Sequence, residues 1–81
     1  MNWAEQNNLL TKDFNFPDFK QAIAFVSVVA AEAERLQHHP DIHVSYTKVT
    51  MTLTTHDEGK ITEKDHELAK VIDMLYTKYH E

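Results

Sequence analysis

The chain has 81 residues, 42% hydrophobic and 26% charged, so it reads as one domain spanning 1–81 that buries only roughly 60% of its unfolded surface. It contains no cysteine, which excludes disulfides and thiolate metal sites, and its thirteen acidic against eight scattered basic residues give a net charge of −5, which removes the electrostatic basis for nucleic-acid binding. The start, Met1-Asn2-Trp3-Ala4-Glu5-Gln6, has no basic-then-apolar leader pattern, and no run approaches the ~20 apolar residues of a membrane span, so the expected location is cytoplasmic.

Residues 3–16 read as a hairpin. Trp3 to Gln6 forms a short strand, Asn7-Asn8 supplies the turn, and Leu10, Phe14 and Phe16 share one face of the second strand by the period of two. Pro17 and Asp18 then open a helix, with Asp18 three residues before Gln21 in capping-box spacing. Phe19, Ala22, Ile23, Val26, Ala30 and Ala33 form the stripe expected to face a sheet, and Phe25, Val28 and Val29 form a second apolar strip, spare in a monomer. Pro40 disfavours helical backbone at His39, so the helix is expected to stop near Gln37.

Ile42, Val44 and Tyr46 alternate with His43, Ser45 and Thr47, and Val49, Met51, Leu53 and Thr55 alternate with Thr50, Thr52 and Thr54, giving two amphipathic strands. His56-Asp57-Glu58-Gly59-Lys60 breaks the second as a turn. Thr62 with Asp65 three residues on resembles a second capping box, opening a helix whose stripe is Leu68, Ala69, Ile72, Leu75, Tyr76 and Tyr79. The predicted order is β-β-α-β-β-α. The fold class is α+β, a four-stranded antiparallel sheet with both main helices packed on one face and the other face wet or covered by another subunit.

The chemistry-bearing residues are His38-His39-Pro40 and, from a separate segment, His56. A histidine at a helix exit can simply cap the last carbonyls, and His56 taken alone is a turn residue. Two consecutive histidines diverge in direction, however, so one can face a cleft while the other is held by neighbouring groups. Imidazoles that titrate near neutral pH form an acid/base set. Asp65 leans toward the buried side, where it can serve as a helix-start acid or hold a histidine's second ring nitrogen. Glu34, one turn before His38, is placed to pair with it or to stand as a solvated acid. His43, His66 and His80 read as surface residues, and Trp3 as a core or edge-covering aromatic. Zinc is disfavoured, since adjacent histidines seldom reach one tetrahedral ion together and there is no His-x-x-x-His pair. A nucleophile is also unsupported, because Ser27 and Ser45 lack a recognisable setting.

Over most of its length the chain resembles the pterin-4a-carbinolamine dehydratase family, whose bifunctional animal members also act as dimerisation cofactors of a homeodomain transcription factor. The likeness runs from Trp3 through Phe14-Asn15-Phe16-Pro17-Asp18-Phe19, Ala22, Phe25, Val29-Ala30, Ala33-Glu34, His38-His39-Pro40, Tyr46, Val49, Leu53-Thr54-Thr55-His56-Asp57, Thr62, Asp65 and Leu68-Ala69. It implies dehydration of a 4a-hydroxytetrahydropterin, made by aromatic amino acid hydroxylases, without metal or organic cofactor. It also implies homodimers that extend the sheet and tetramers packed through the long helix, a contact that would suit the spare strip. Residue by residue, it makes His38, His39 and His56 the catalytic, pterin-contacting histidines, Gln37, Thr54, Thr55 and Asp57 further pocket residues, and Glu34 and Asp65 supporting carboxylates. His39 or His56 is favoured for the proton steps, and a non-catalytic pterin-binding or coactivator-like module is the alternative. Three departures stand out: the start close to Trp3, without the family's N-terminal helical segment; Gln37 in place of an acid; and Glu58-Gly59-Lys60 where many relatives carry a glycine pair. The first leads us to expect greater reliance on assembly.

Overall fold

The computed structural model describes residues 3–80, with side chains through residue 78. Strands β1 (Ala4–Gln6) and β2 (Leu9–Asn15) form the expected hairpin, closed by the Gln6–Leu9 pair. Its two turn residues, Asn7 and Asn8, both take positive φ (53° and 63°), the backbone that a tight two-residue hairpin demands and that asparagine tolerates better than most residues. After helix α1 (Phe19–Leu36), strands β3 (Asp41–Ser45) and β4 (Lys48–Leu53) form a second hairpin, and helix α2 (Glu63–His80) ends the fold. The strands pair antiparallel in the order β1-β2-β4-β3, so β4, with its run of inward apolar residues, lies beside β2 in the middle.

One face of this sheet carries the core. Leu10 pairs with Leu53 and Phe14 with Val49, and all four pack with Met51 against Ala22, Phe25 and Val29 of α1 and Leu68, Ala69 and Ile72 of α2. Burying each large side chain of this set is worth roughly 1.5–3 kcal/mol. Both helices therefore share one face, as predicted. The other face is polar, with Thr50 donating to Asp13 at 2.7 Å. Lys12 is the exception in the inward row: its ammonium lies 2.7 Å from Asp73 and above the rings of Phe14 and Trp3, while the Trp3 indole N–H donates to the second Asp73 oxygen. A charge at this depth is tolerated because it is paired and faces aromatic π clouds.

Two readings need correction. On α1 the buried residues are Ala22, Phe25, Val29 and Ala33, whereas Phe19 and Ile23 are exposed. Phe25 and Val29 thus belong to the core beside Ala22, Ala33 and the partly buried Val26 of the expected stripe, and the large apolar side chains left uncovered are Phe19 and Ile23. The cause is the aromatic cluster, in which Phe25 lies 5.2 Å from Phe14 and 5.0 Å from Phe16 between ring centroids. Tyr46 leaves the strand pattern: with φ of 58° it lies in the β3–β4 turn, 73% exposed and stacked on Phe19. On α2 the expected stripe holds through Tyr76, whose hydroxyl donates to the Asn15 carbonyl, and the side chains of Tyr79 and His80 lie outside the described residues. Among the described residues no helix is long and apolar enough to cross a membrane.

Candidate functional site

The site begins where α1 stops. Gln37 takes left-handed backbone (φ 56°, ψ 39°), so its N–H turns back to Glu34 O and the next N–H, of His38, reaches Ala33 O. These are the two bonds of a Schellman ending, which satisfies the last helical carbonyls and reverses the chain before Pro40. The Gln37 side-chain amide also donates to Glu34 O at 2.8 Å.

The reversal separates the two histidines. His38 is driven inward, with a side chain only 11% exposed, and its Nε2 lies 2.6 Å from Oδ1 of the fully buried Asp65. His39 points outward, with Nε2 2.8 Å from Oε2 of Glu34. Glu34 therefore pairs with His39 and not with His38. The expected pairing assumed that helical spacing continued through His38, and the left-handed Gln37 breaks that spacing.

Asp65 is reached from α2. Thr62 is the residue before the helix, and its N–H donates to Asp65 Oδ2 at 2.9 Å, one half of the predicted capping box. The Thr55 hydroxyl donates to the same oxygen at 2.7 Å. Burial alone would push this carboxyl up, but the hydrogen bonds from His38, the Thr62 N–H and Thr55, together with the charge of His38, outweigh it and hold Asp65 below the usual carboxylate range. An ionised carboxylate only accepts, so His38 Nε2 carries a proton and, in the neutral ring, the lone pair resides on Nδ1.

His56 comes from the other side. Past the end of β4, Thr55 bridges to Lys60, and the intervening loop is closed by Glu58 and Gly59 N–H groups on the Thr55 carbonyl, with Gly59 at φ 67°. This tight loop turns His56 off the strand and leaves it exposed beside the α1 exit.

The two segments enclose a cleft of about 220 Å³ lined by Gln37, His38, His39, Thr54, Thr55, His56 and Asp57, together with Lys64. All seven sequence-predicted pocket residues therefore meet in one place, with Asp65 standing behind His38 and Glu34 beside His39. Lys64 was missed. It immediately precedes Asp65 in the first turn of α2, so the capping spacing that located Asp65 also locates Lys64. Among the described residues no group of three or more His, Asp or Glu side chains is placed to hold a metal ion.

Comparison with known proteins agrees with this architecture. The family model described as pterin 4 alpha carbinolamine dehydratase matches residues 1–75. A protein of Roseiflexus sp. (strain RS-1), named as a candidate pterin-4-alpha-carbinolamine dehydratase, is 52% identical over 73 residues, 90% of this chain and 78% of that one. A protein of the same designation from Sulfurisphaera tokodaii is 48% identical over 75 residues, 93% of this chain and 81% of its own. Among solved structures, a transcriptional coactivator/pterin dehydratase from Brucella melitensis aligns with a TM-score of 0.89 at 34% identity, covering 93% of this chain and 82% of that one. A pterin dehydratase-like protein identified as a RuBisCO assembly factor in the alpha-carboxysome aligns with a TM-score of 0.82 at 30% identity, covering 94% and 90%. On the family match and the extent of these identities, the chain belongs to the pterin-4-alpha-carbinolamine dehydratase family.

Proposed function

We propose that the cleft dehydrates a 4a-hydroxytetrahydropterin to the quinonoid dihydropterin by histidine acid/base catalysis, as part of tetrahydropterin recycling in the cytoplasm. The observation that carries this reading is the meeting of His38, His39 and His56, from two separate segments, at one cleft whose deepest imidazole is anchored on Asp65. The reaction needs an acid that protonates the departing 4a-hydroxyl, so that the C4a–O bond breaks and water leaves, and a base that takes a ring N–H proton. One imidazolium and one neutral imidazole near pH 7 supply both. His39 and His56, both exposed at the rim, carry the proton steps, and His38 is the oriented floor of the site. Gln37, Thr54 and Asp57 contact the pterin, and no metal or organic cofactor takes part. The substrate is the carbinolamine released by aromatic amino acid hydroxylases. A homodimer or homotetramer is part of the same reading, supported by the exposed apolar side chains Phe19, Ile23 and Tyr46.

The test is a direct dehydration assay. The purified protein accelerates water loss from the carbinolamine; His39→Ala and His56→Ala each lower the rate by roughly 10²-fold or more, the usual scale of a general acid or base, and His38→Ala, which removes the floor of the site, lowers it as well. Full activity in all three variants sinks the assignment. The coactivator and assembly-factor roles given to the two aligned proteins favour a second reading, a pterin-binding or protein-interaction module without catalysis. Wild-type protein that binds a pterin yet leaves its dehydration rate unchanged selects that alternative.

A further inference from the structure

We infer that Thr55 is a positioning residue: its hydroxyl holds Asp65 in the orientation that presents Oδ1 to His38, while its main chain ties down the loop that carries His56. The rate measurement below rests on the dehydratase reading; the spectroscopic one does not.

Thr55 is 6% exposed, and its polar atoms are committed within the protein. Its single hydroxyl proton goes to Asp65 Oδ2 at 2.7 Å, since that carboxylate only accepts. The 2.7 Å contact between the Thr55 and Thr62 hydroxyls is therefore donated by Thr62. Thr62 Oγ1 in turn accepts the Lys64 N–H at 3.3 Å, within the first turn of α2. The chain has one sense, from the α2 N-terminus through Thr62 and Thr55 to the carboxylate, and His38 approaches the opposite oxygen at 2.6 Å. Hydrogen bonds to a charged acceptor are the strong ones, so this chain, together with the Thr62 N–H on the same oxygen at 2.9 Å, fixes the carboxylate rotamer.

The main chain of Thr55 does the other half. Its N–H donates to Lys60 O at 3.1 Å, and its carbonyl accepts from Glu58 at 3.0 Å and Gly59 at 2.8 Å, closing the loop on which His56 sits. Thr55 is thus bonded both to the support of His38 and to the loop of His56. With its donor on Asp65 and an acceptor lone pair on Thr62, the hydroxyl has no proton to offer a pterin. Thr55 was expected among the pterin contacts; the hydrogen bonding assigns it instead the spacing between the two histidines.

The experiment compares Thr55→Val, which keeps the shape and deletes the hydroxyl, with Thr55→Ser, which keeps the hydroxyl. In ¹H–¹⁵N spectra of the imidazoles, wild-type His38 shows a protonated Nε2 that exchanges slowly with solvent. Thr55→Val speeds that exchange by about tenfold and lowers kcat by about tenfold with KM within about twofold, the scale of one charge-assisted hydrogen bond lost behind a catalytic group. Thr55→Ser restores both. An unchanged His38 resonance in Thr55→Val overturns the inference, and so does a raised KM at constant kcat, which marks a substrate contact. Should Thr55→Val not fold, Thr62→Val, which deletes the donor to Thr55, is judged by the same two readouts. A wild-type protein without dehydratase activity defeats the functional reading alone, and the His38 exchange rate then decides the role of Thr55.

Discussion

His38 and His39 are consecutive in the chain, and each brings Nε2 to a carboxylate at nearly the same distance, 2.6 Å and 2.8 Å, yet they inhabit opposite environments. The His38–Asp65 pair is 11% and 0% exposed, whereas the His39–Glu34 pair is 57% and 74% exposed. In water, an ion pair gains little over its hydrated parts and must immobilise two flexible side chains. Away from water, the same contact determines whether a buried charge has a partner at all. One helix ending thus produces a rigid histidine and an adaptable one side by side. The rigid ring defines the floor of the cleft, and the adaptable one stands at its rim.

The largest expected effect lies in the buried pair. Asp65→Ala removes the acceptor of the His38 ring N–H, the Thr55 hydroxyl and the Thr62 N–H at once. Urea unfolding is expected to show a loss of roughly 3–5 kcal/mol, the range for breaking a buried pair by deleting one partner. A loss below about 1 kcal/mol, the scale of an exposed pair, would erase the distinction between the two histidines.

Acid should expose the same asymmetry with a smaller amplitude. The Asp65 pKa is lowered in the folded state, so its stabilising contribution is fully present above the unfolded aspartate value, about 3.9, and disappears as pH falls through the lower folded value. Unfolding free energies measured from pH 7 to pH 3 should therefore fall for the wild type and fall less steeply for Asp65→Asn, which has no carboxylate to protonate at that position. Parallel curves would mean that acid sensitivity arises elsewhere.

Much of this contrast was legible in the sequence. Thr62 and Asp65 announce a helix start, and the leaning of Asp65 toward Leu68 and Ala69 already offered its carboxylate to a histidine. The Asn7-Asn8 turn, the β4 alternation and the stop near Gln37 were likewise written in local chemistry, because each depends on a few neighbouring residues. What escaped depends on backbone geometry or on packing at a distance. Helical spacing offered Glu34 either His38 or solvent, and left His39 out because nothing in the residue type Gln37 declares left-handed backbone. The apolar arc of α1 is wide enough that periodicity alone does not choose between the Phe19 and Phe25 strips, and the rings of Phe14 and Phe16 make the choice. Tyr46 has the composition of a strand residue and was claimed by a two-residue turn. Lys12 interrupts an apolar row, and its place there depends on Asp73, 61 residues away in sequence.

The smallest expected effect tests the comparison from its exposed side. Glu34→Gln removes the charge opposite His39 but leaves an amide oxygen that can accept from Nε2. Its stability change should stay within about 0.5 kcal/mol, a factor of about two when expressed as a rate. Any difference from the wild type should also vanish near 1 M salt, where the screening length falls to about 3 Å. The Asp65→Ala deficit should persist in the same salt, because no counterion reaches a carboxylate with no exposed surface. The two responses together separate the ring from its partner: His39→Ala removes an imidazole from the cleft, whereas Glu34→Gln removes only a solvated neighbour of that imidazole. A Glu34→Gln variant as destabilised as Asp65→Ala would show that burial is not what divides the two histidines.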